Sequence, residues 1–253
     1  MSITLEVNEH IALVQLARPP VNALDRATRR RLIEVFDEIS ERSDVRVAVL
    51  TGTGKSFCAG ADLKDRPDAE KAGDFLDHNR VTRETGNAIK ECAKPVIAAV
   101  NGPALGAGFG LMAACDIFVA SEDATFAMPE INVGLAGGVS MLRTMFGRSF
   151  TRRMFFTGMR VPAAELYRRG VLDEMVPHEQ LLPTAMAIAR EIASKSPVAI
   201  GYAKQAANMM DLMPQRDGYR FEQNFTMALA RTDDAREARQ AFLEKRQPVY
   251  KGR

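Results

Sequence analysis

The stretch VRVAVLTGTGKSFCAGADL, residues 45–63, is answered by KPVIAAVNGPALGAGFGLM, residues 94–112, and this pairing decides the fold. Each opens with a short apolar, β-branched run without helical period, the mark of a buried strand. Each then turns on glycine, crosses a loop of small residues and gives way to helical sequence. One unit stated twice, about fifty residues apart, predicts stacked β-β-α turns.

Working outward, Ile3, Leu5 and Val7, then Ile11, Leu13 and Leu16, alternate as a hairpin of strands that Arg18-Pro19-Pro20 brings to an end. Asp25 stands where it can cap a helix whose apolar face is Leu32, Val35, Phe36 and Ile39. A polar helical stretch over residues 68–91 leads into the second buried strand, and residues 116–120 form another. Beyond Gly137 the pattern predicts helices only, over residues 141–146, 150–157, 162–169, 181–194, 198–211, 218–231 and 233–246. The class is therefore α/β. Residues 1–195 form a spiral β-β-α core and residues 196–253 a helical region, with no linker-like sequence between them to make two domains.

Composition narrows the function. With 46% apolar and 26% charged residues among 253, the chain can build a core and remain a soluble globule. A net charge of +2 gives no whole-surface field for a nucleic acid or an anionic membrane. The longest apolar runs are strand-sized, too short to span a bilayer. The N-terminus alternates from its start without a basic segment and apolar core, so no signal peptide is expected. Cys58, Cys92 and Cys115 follow no metal-ligand spacing and read as buried thiols in a reducing compartment. The expected location is cytoplasmic, with a processed mitochondrial form as the alternative.

Some tempting motifs fail. Gly52-Thr53-Gly54-Lys55-Ser56 resembles the end of a P-loop, but Val49 stands where the motif needs its first glycine. Gly106-Ala107-Gly108-Phe109-Gly110 has Leu111 at the third-glycine position of a dinucleotide fingerprint. His10, His78 and His178 lack triad or metal spacing, and Met209, Met210 and Met213 read as core or interface filler. No metal site is expected.

Three segments together carry chemistry: Phe57-Cys58-Ala59-Gly60-Ala61-Asp62-Leu63, Asn101-Gly102-Pro103-Ala104-Leu105-Gly106-Ala107-Gly108 and Phe126-Ala127-Met128-Pro129-Glu130. The first two offer peptide N–H groups in small-residue loops before or at a helix start, where donors lack intrahelical partners. Two such donors aimed at one point polarise a carbonyl and hold the oxyanion formed from it. The bland reading is that glycine and alanine only permit tight strand–helix packing. The third places a carboxylate among apolar neighbours, where burial raises its pKa toward proton-transfer duty; the bland reading there is a turn glutamate after proline.

These segments, in order along nearly the whole chain, resemble the crotonase (enoyl-CoA hydratase/isomerase) superfamily. Arg18-Pro19, Asn22-Ala23-Leu24, Lys94-Pro95-Val96-Ile97-Ala98-Ala99-Val100-Asn101-Gly102, Cys115-Asp116 and Ala241-Phe242-Leu243-Glu244-Lys245-Arg246 add to the match. The resemblance implies a crotonase-like spiral with a C-terminal helical trimerisation region, assembled as a trimer or dimer of trimers. It implies an acyl-CoA substrate, with coenzyme A as part of that substrate and no separate cofactor. The thioester carbonyl would lie between the amides of Ala61 and Ala107. The CoA and acyl groups would touch Ala23, Ala59, Ala61, Asp62, Leu63, Gly106 and Ala107, and Lys245 would reach CoA, in many members across a subunit boundary. Glu130 matches one catalytic glutamate; the second acid of hydratases falls at position 110, where this chain has Gly110.

One carboxylate suffices to move a proton between C2 and C4 of an enoyl thioester, so double-bond isomerisation is the expected reaction. Hydration or its reverse is the runner-up, followed by decarboxylation, thioester hydrolysis and an inactive CoA-binding scaffold. RNA binding through Arg26, Arg29, Arg30 and Arg31 is the reading from another class; a solvated face partly paired with Glu34 and Glu38 explains those charges as well.

Overall fold

The computed structural model of the chain describes residues 2–253. In chain order, β1 (Ile3–Asn8) and β2 (Ile11–Leu16) form the hairpin, followed by α1 (Arg26–Glu41), β3 (Val47–Gly52), α2 (Asp74–Lys90) and β4 (Val96–Val100). Then come β5 (Ala104–Leu105), α3 (Ala107–Ala113), β6 (Ile117–Ser121), β7 (Thr125–Ala127) and a 3-10 turn, Pro129–Val133. The remainder is α4 (Val139–Met145), α5 (Arg148–Thr157), β8 (Val161–Pro162), α6 (Ala163–Arg168), β9 (Glu174–Val176), α7 (His178–Ala193), α8 (Pro197–Met210), α9 (Gln215–Leu229) and α10 (Asp233–Glu244).

Two sheets grow together. The larger runs β1-β2-β3-β4-β6-β9, parallel from β2 onward, and the smaller runs β5-β7-β8. Cys58 extends the smaller sheet through a parallel bridge to Ala104. Three successive strands of the large sheet, β3, β4 and β6, are thus each followed by a short piece of the small one: Cys58, β5 and β7. The spiral expected from two sequence copies therefore has a third turn, which the sequence pattern did not reveal.

Both faces of the large sheet are covered, which is why its strands read as unbroken apolar runs. Val47, Val49, Ile97, Ala99 and Val119 face α7, which meets them with Leu181, Ala185, Ala189 and Ala193 at four-residue intervals. The alternate residues Ala48, Leu50, Val96, Ala98 and Val100 enter the main core with Leu32, Val35, Phe36 and Ile39 of α1. Asp25 caps α1 as expected, its carboxylate accepting the Thr28 N–H at 2.7 Å.

Two expectations need correction. The region after Gly137 is not helical throughout: β8 pairs with β7, and β9 pairs with β6 at the edge of the large sheet. At two and three residues these strands are shorter than any periodicity can mark. The arginines of α1 are also only in part a solvated face, since Arg30 and Arg31 are exposed. Arg29 is buried; Arg26 pairs with Asp74 at 2.7 Å and Arg30 with Asp77 at 2.7 Å, both on α2. Arg31 does pair with Glu34, at 3.1 Å, but Glu38 pairs with Arg42 instead. Arg26 and Arg30, half of the basic cluster, therefore join α1 to α2. All three cysteines are buried, and burial pushes the Cys58 thiol up to about 11. Among the described residues, no helix is long and apolar enough to cross a membrane.

Candidate active site

The two glycine-turn loops lie side by side. Cys58 N–H donates to Pro103 O at 3.1 Å, and Leu105 N–H donates to Cys58 O at 2.9 Å. This zipper brings Gly60 against the second loop: a Cβ on Gly60 would stand 2.7 Å from Leu105 O and 3.5 Å from Ala107 N. Gly60 also has φ +97°, so glycine is required here for both backbone shape and close approach.

The two candidate donors are free for different reasons. Ala107 is the first residue of α3, where no preceding turn offers an acceptor. Ala61 does not start a helix, since α2 begins only at Asp74; of the two loops expected to offer donors before or at a helix start, only the second does so at the helix itself. Ala61 bridges Leu24 in parallel, and the bridge is bonded by Leu24 N–H to Gly60 O and Asp62 N–H to Leu24 O, at 2.8 and 2.9 Å. That pattern turns the N–H of Ala61 away from the bridge. Neither amide donates to a protein acceptor among the described residues.

Glu130 completes the cluster. It rides the 3-10 turn after Pro129, and its Oε1 lies where a Cβ on Gly106 would come within 2.5 Å. Gly106, with φ +53°, both leaves that room and lets the chain enter α3. Burial raises the carboxyl's pKa above its ordinary range, an effect partly offset by the residue's own amide. Its Oε2 is buried without a hydrogen-bond partner. An unpartnered, partly desolvated carboxylate beside two free amides can accept a proton from, and return it to, a bound thioester.

One turn along α3, Gly110 faces something else. A Cβ there would stand 2.8 Å from Met141 Sδ and 3.4 Å from Met141 Cε. A thioether from α4 thus fills the space beside position 110. Asp116, the next acid along, is committed elsewhere: it accepts the Val96 N–H at 2.7 Å and pairs with buried Lys204 at 2.5 Å.

Of the other expected residues, Ala23, Ala59, Asp62 and Leu63 gather on the same ledge. Ala59 N–H donates to Val21 O at 2.9 Å, and Arg18 donates to Ala23 O at 3.1 Å and to Asp62 at 2.6 Å. Asp62 also accepts the Lys64 N–H at 3.0 Å; that bond, then Arg18, lowers its pKa. It shapes the loop. Leu63 is exposed. Lys245 stands apart at the C-terminal cap of α10, and no hydrogen bond or ion pair among the described residues links it to these loops. Met141 is the neighbour that sequence reasoning missed, because only the packing of α4 brings it to Gly110. Among the described residues no cluster of three or more His, Cys, Asp or Glu side chains could hold a metal ion.

Comparison with known proteins is consistent along the chain's length. A (7aS)-7a-methyl-1,5-dioxo-2,3,5,6,7,7a-hexahydro-1H-indene-carboxyl-CoA hydrolase of Mycobacterium tuberculosis is 39% identical over 93% of this chain and 95% of its own. A carnitinyl-CoA dehydratase of Salmonella enteritidis is 36% identical, covering 100% of this chain and 99% of its own. The crystal structure of an enoyl-CoA hydratase from Bacillus anthracis superposes with a TM-score of 0.93 at 34% identity, covering 100% of both chains. The sequence model of the enoyl-CoA hydratase/isomerase family matches residues 6–253. With that match and the shared spiral architecture, the chain belongs to the enoyl-CoA hydratase/isomerase family and has the crotonase fold.

Proposed function

We propose that the chain isomerises the double bond of an enoyl-CoA, with Glu130 as the one acid/base and the amides of Ala61 and Ala107 as the oxyanion hole. The reading rests on one observation: the carboxylate of Glu130 lies against Gly106, while the equivalent place one turn on, at Gly110, is taken by the Met141 thioether. Glu130 takes a proton from C2 of a 3-enoyl thioester. The electron pair moves into the C2–C1 bond, the thioester oxygen becomes an oxyanion held by the two amides, and the negative charge is shared with C4. Glu130 returns the proton at C4, leaving the 2-enoyl thioester. Atoms balance without water, and a redox cofactor has no part in the scheme. Coenzyme A enters and leaves as part of the substrate, along the ledge of Ala23, Ala59, Asp62 and Leu63.

Assembly as a trimer or dimer of trimers belongs to the same reading. Lys245 lies two residues beyond the exposed Phe242–Leu243 pair, and Leu212, Tyr219 and Met227 are exposed on or beside α8 and α9. Such an apolar surface favours self-association, which would carry Lys245 to a neighbour's CoA.

Hydration or dehydration is the second reading, favoured by the dehydratase and hydratase names among the relatives. It asks Glu130 and backbone groups alone to activate water. The deciding experiment supplies a 3-enoyl-CoA and, separately, a trans-2-enoyl-CoA, resolves products by chromatography and uses Glu130→Gln as control. Conversion of the 3-enoyl to the 2-enoyl thioester is expected, falling about 10²–10⁴-fold in Glu130→Gln. Rapid formation of 3-hydroxyacyl-CoA with little isomerisation would sink the single-carboxylate scheme.

A further inference from the structure

A cavity of about 480 Å³ opens beside Gly110, walled by α2, α3, α4 and α8. Gly106 and Gly110 are one turn apart on α3, joined by the Gly110 N–H to Gly106 O bond at 3.0 Å. The cavity therefore starts about one helical turn, some 5–6 Å, from the carboxylate of Glu130. The end of the Met141 side chain borders Gly110 and lines the cavity, an unbranched thioether on rotatable bonds that can move aside at little cost.

The lining is unlike that of a pocket for a plain hydrocarbon chain. More than half of the wall residues carry nitrogen or oxygen in their side chains. Its charges are already matched: Lys90 with Asp211 at 3.2 Å, Asp116 with Lys204 at 2.5 Å, and Arg83 with Glu84 at 3.3 Å. What remains for a ligand is neutral hydrogen-bonding capacity. Asn208 donates to Lys90 O at 2.7 Å, which leaves its second N–H for a keto oxygen and its carbonyl oxygen for a hydroxyl. Asn87 has only a long contact to Glu84, at 3.4 Å, and Ser140 makes no side-chain hydrogen bond among the described residues. A straight alkyl tail here would strip water from amides and hydroxyls and give nothing back, at a cost of about 1–3 kcal/mol per group left unpaired. A carboxylate would find no unmatched cation.

Resting on the acyl-CoA reading above, we infer that this cavity receives the distal part of an acyl group bearing neutral oxygen functions, keto or hydroxyl, with Met141 as the gate and Asn87 and Asn208 as the groups that read it. The volume lies in the range of pockets that take a small-molecule group. On this view the glycine at position 110 removes a second acid and opens the route to the cavity.

The test uses Glu130→Gln, which holds ligand without turnover, and measures binding by calorimetry. Three acyl-CoAs of equal acyl length are compared: a saturated alkyl chain, the same chain with a keto group near its distal end, and an ω-carboxyl chain. The keto ligand is expected to bind about tenfold more tightly than the other two, the size of one or two neutral hydrogen bonds. Adding Asn87→Leu should erase that preference, weakening the keto ligand and tightening the alkyl one, with the melting temperature reported to show the variant is folded. Equal binding of keto and alkyl ligands, or preference for the carboxylate, would overturn the inference and leave the acyl-CoA assignment standing. Failure of all three to bind better than an unrelated nucleotide would overturn both.

Discussion

Two successive turns of α3 present the same face with different occupants. At Gly106 the neighbour is the Glu130 carboxylate; at Gly110 it is the Met141 thioether. Both positions lack a side chain, yet the first seats a group that can carry a proton and the second seats one that cannot. On the reading proposed above, the Glu130 carboxylate beside the first turn carries the proton and the second turn bears on which acyl groups fit, so mechanism and selectivity can be altered separately.

The largest effect should come from removing the donor that serves the first turn. Proline is tolerated at the first position of a helix, so Ala107→Pro deletes the N–H with little disturbance of α3. Loss of one oxyanion-hole donor should lower kcat about 10²–10³-fold with a smaller change in KM. An unchanged kcat would show that this amide is not part of the hole. Making the second turn resemble the first is the next test. Gly110→Glu combined with Met141→Ala gives the new carboxylate room, and hydration of a trans-2-enoyl-CoA should rise about tenfold relative to isomerisation. If the ratio stays fixed, the missing acid is not what separates the two reactions.

The pH profile sharpens the comparison further. Glu130 must be ionised to accept the proton, and burial raises its pKa. Hence kcat/KM should fall about tenfold per pH unit on an acid limb whose midpoint lies above that of an ordinary glutamate. The limb should be absent from the residual activity of Glu130→Gln. The smallest expected effect is on stability. A group whose folded pKa is raised opposes folding once ionised, and this one also leaves Oε2 unpartnered. Glu130→Gln should therefore stabilise the fold at neutral pH by about 1 kcal/mol, and the gain should fade as pH drops and the native carboxyl takes up its proton. Thermal melting across a pH series reads this directly.

How much of this was legible in sequence depended on whether the signal was local. β3 and β4 announced themselves because burial on both faces selects unbroken β-branched runs, and Asp25 because capping acts within a few residues. The third spiral turn was hidden: β5, β7, β8 and β9 are two or three residues long and owe their conformation to partners far along the chain. In the site, the repetition of small-residue loops pointed to paired amide donors, which the family resemblance placed at Ala61 and Ala107, and apolar neighbours pointed to Glu130. Sequence alone could not say that Ala61 is released by its bridge to Leu24, nor that Met141 comes to rest beside Gly110. The burial of Arg29 was equally hidden, since a charged residue on a helix carries no mark of what α2 will cover.

The ion pair between Asp116 and Lys204 has a temporal side. Asp116 fixes the start of β6 by accepting the Val96 N–H, yet its ammonium partner lies 88 residues further along the chain. During synthesis from the N-terminus at about 5–20 residues per second, the carboxylate must wait several seconds for Lys204 to emerge. Until then the spiral holds an acid at a strand junction without its counter-charge. The arrival of α8 supplies that counter-charge, so a nascent chain truncated before residue 204 should be a poorer fold than its length suggests.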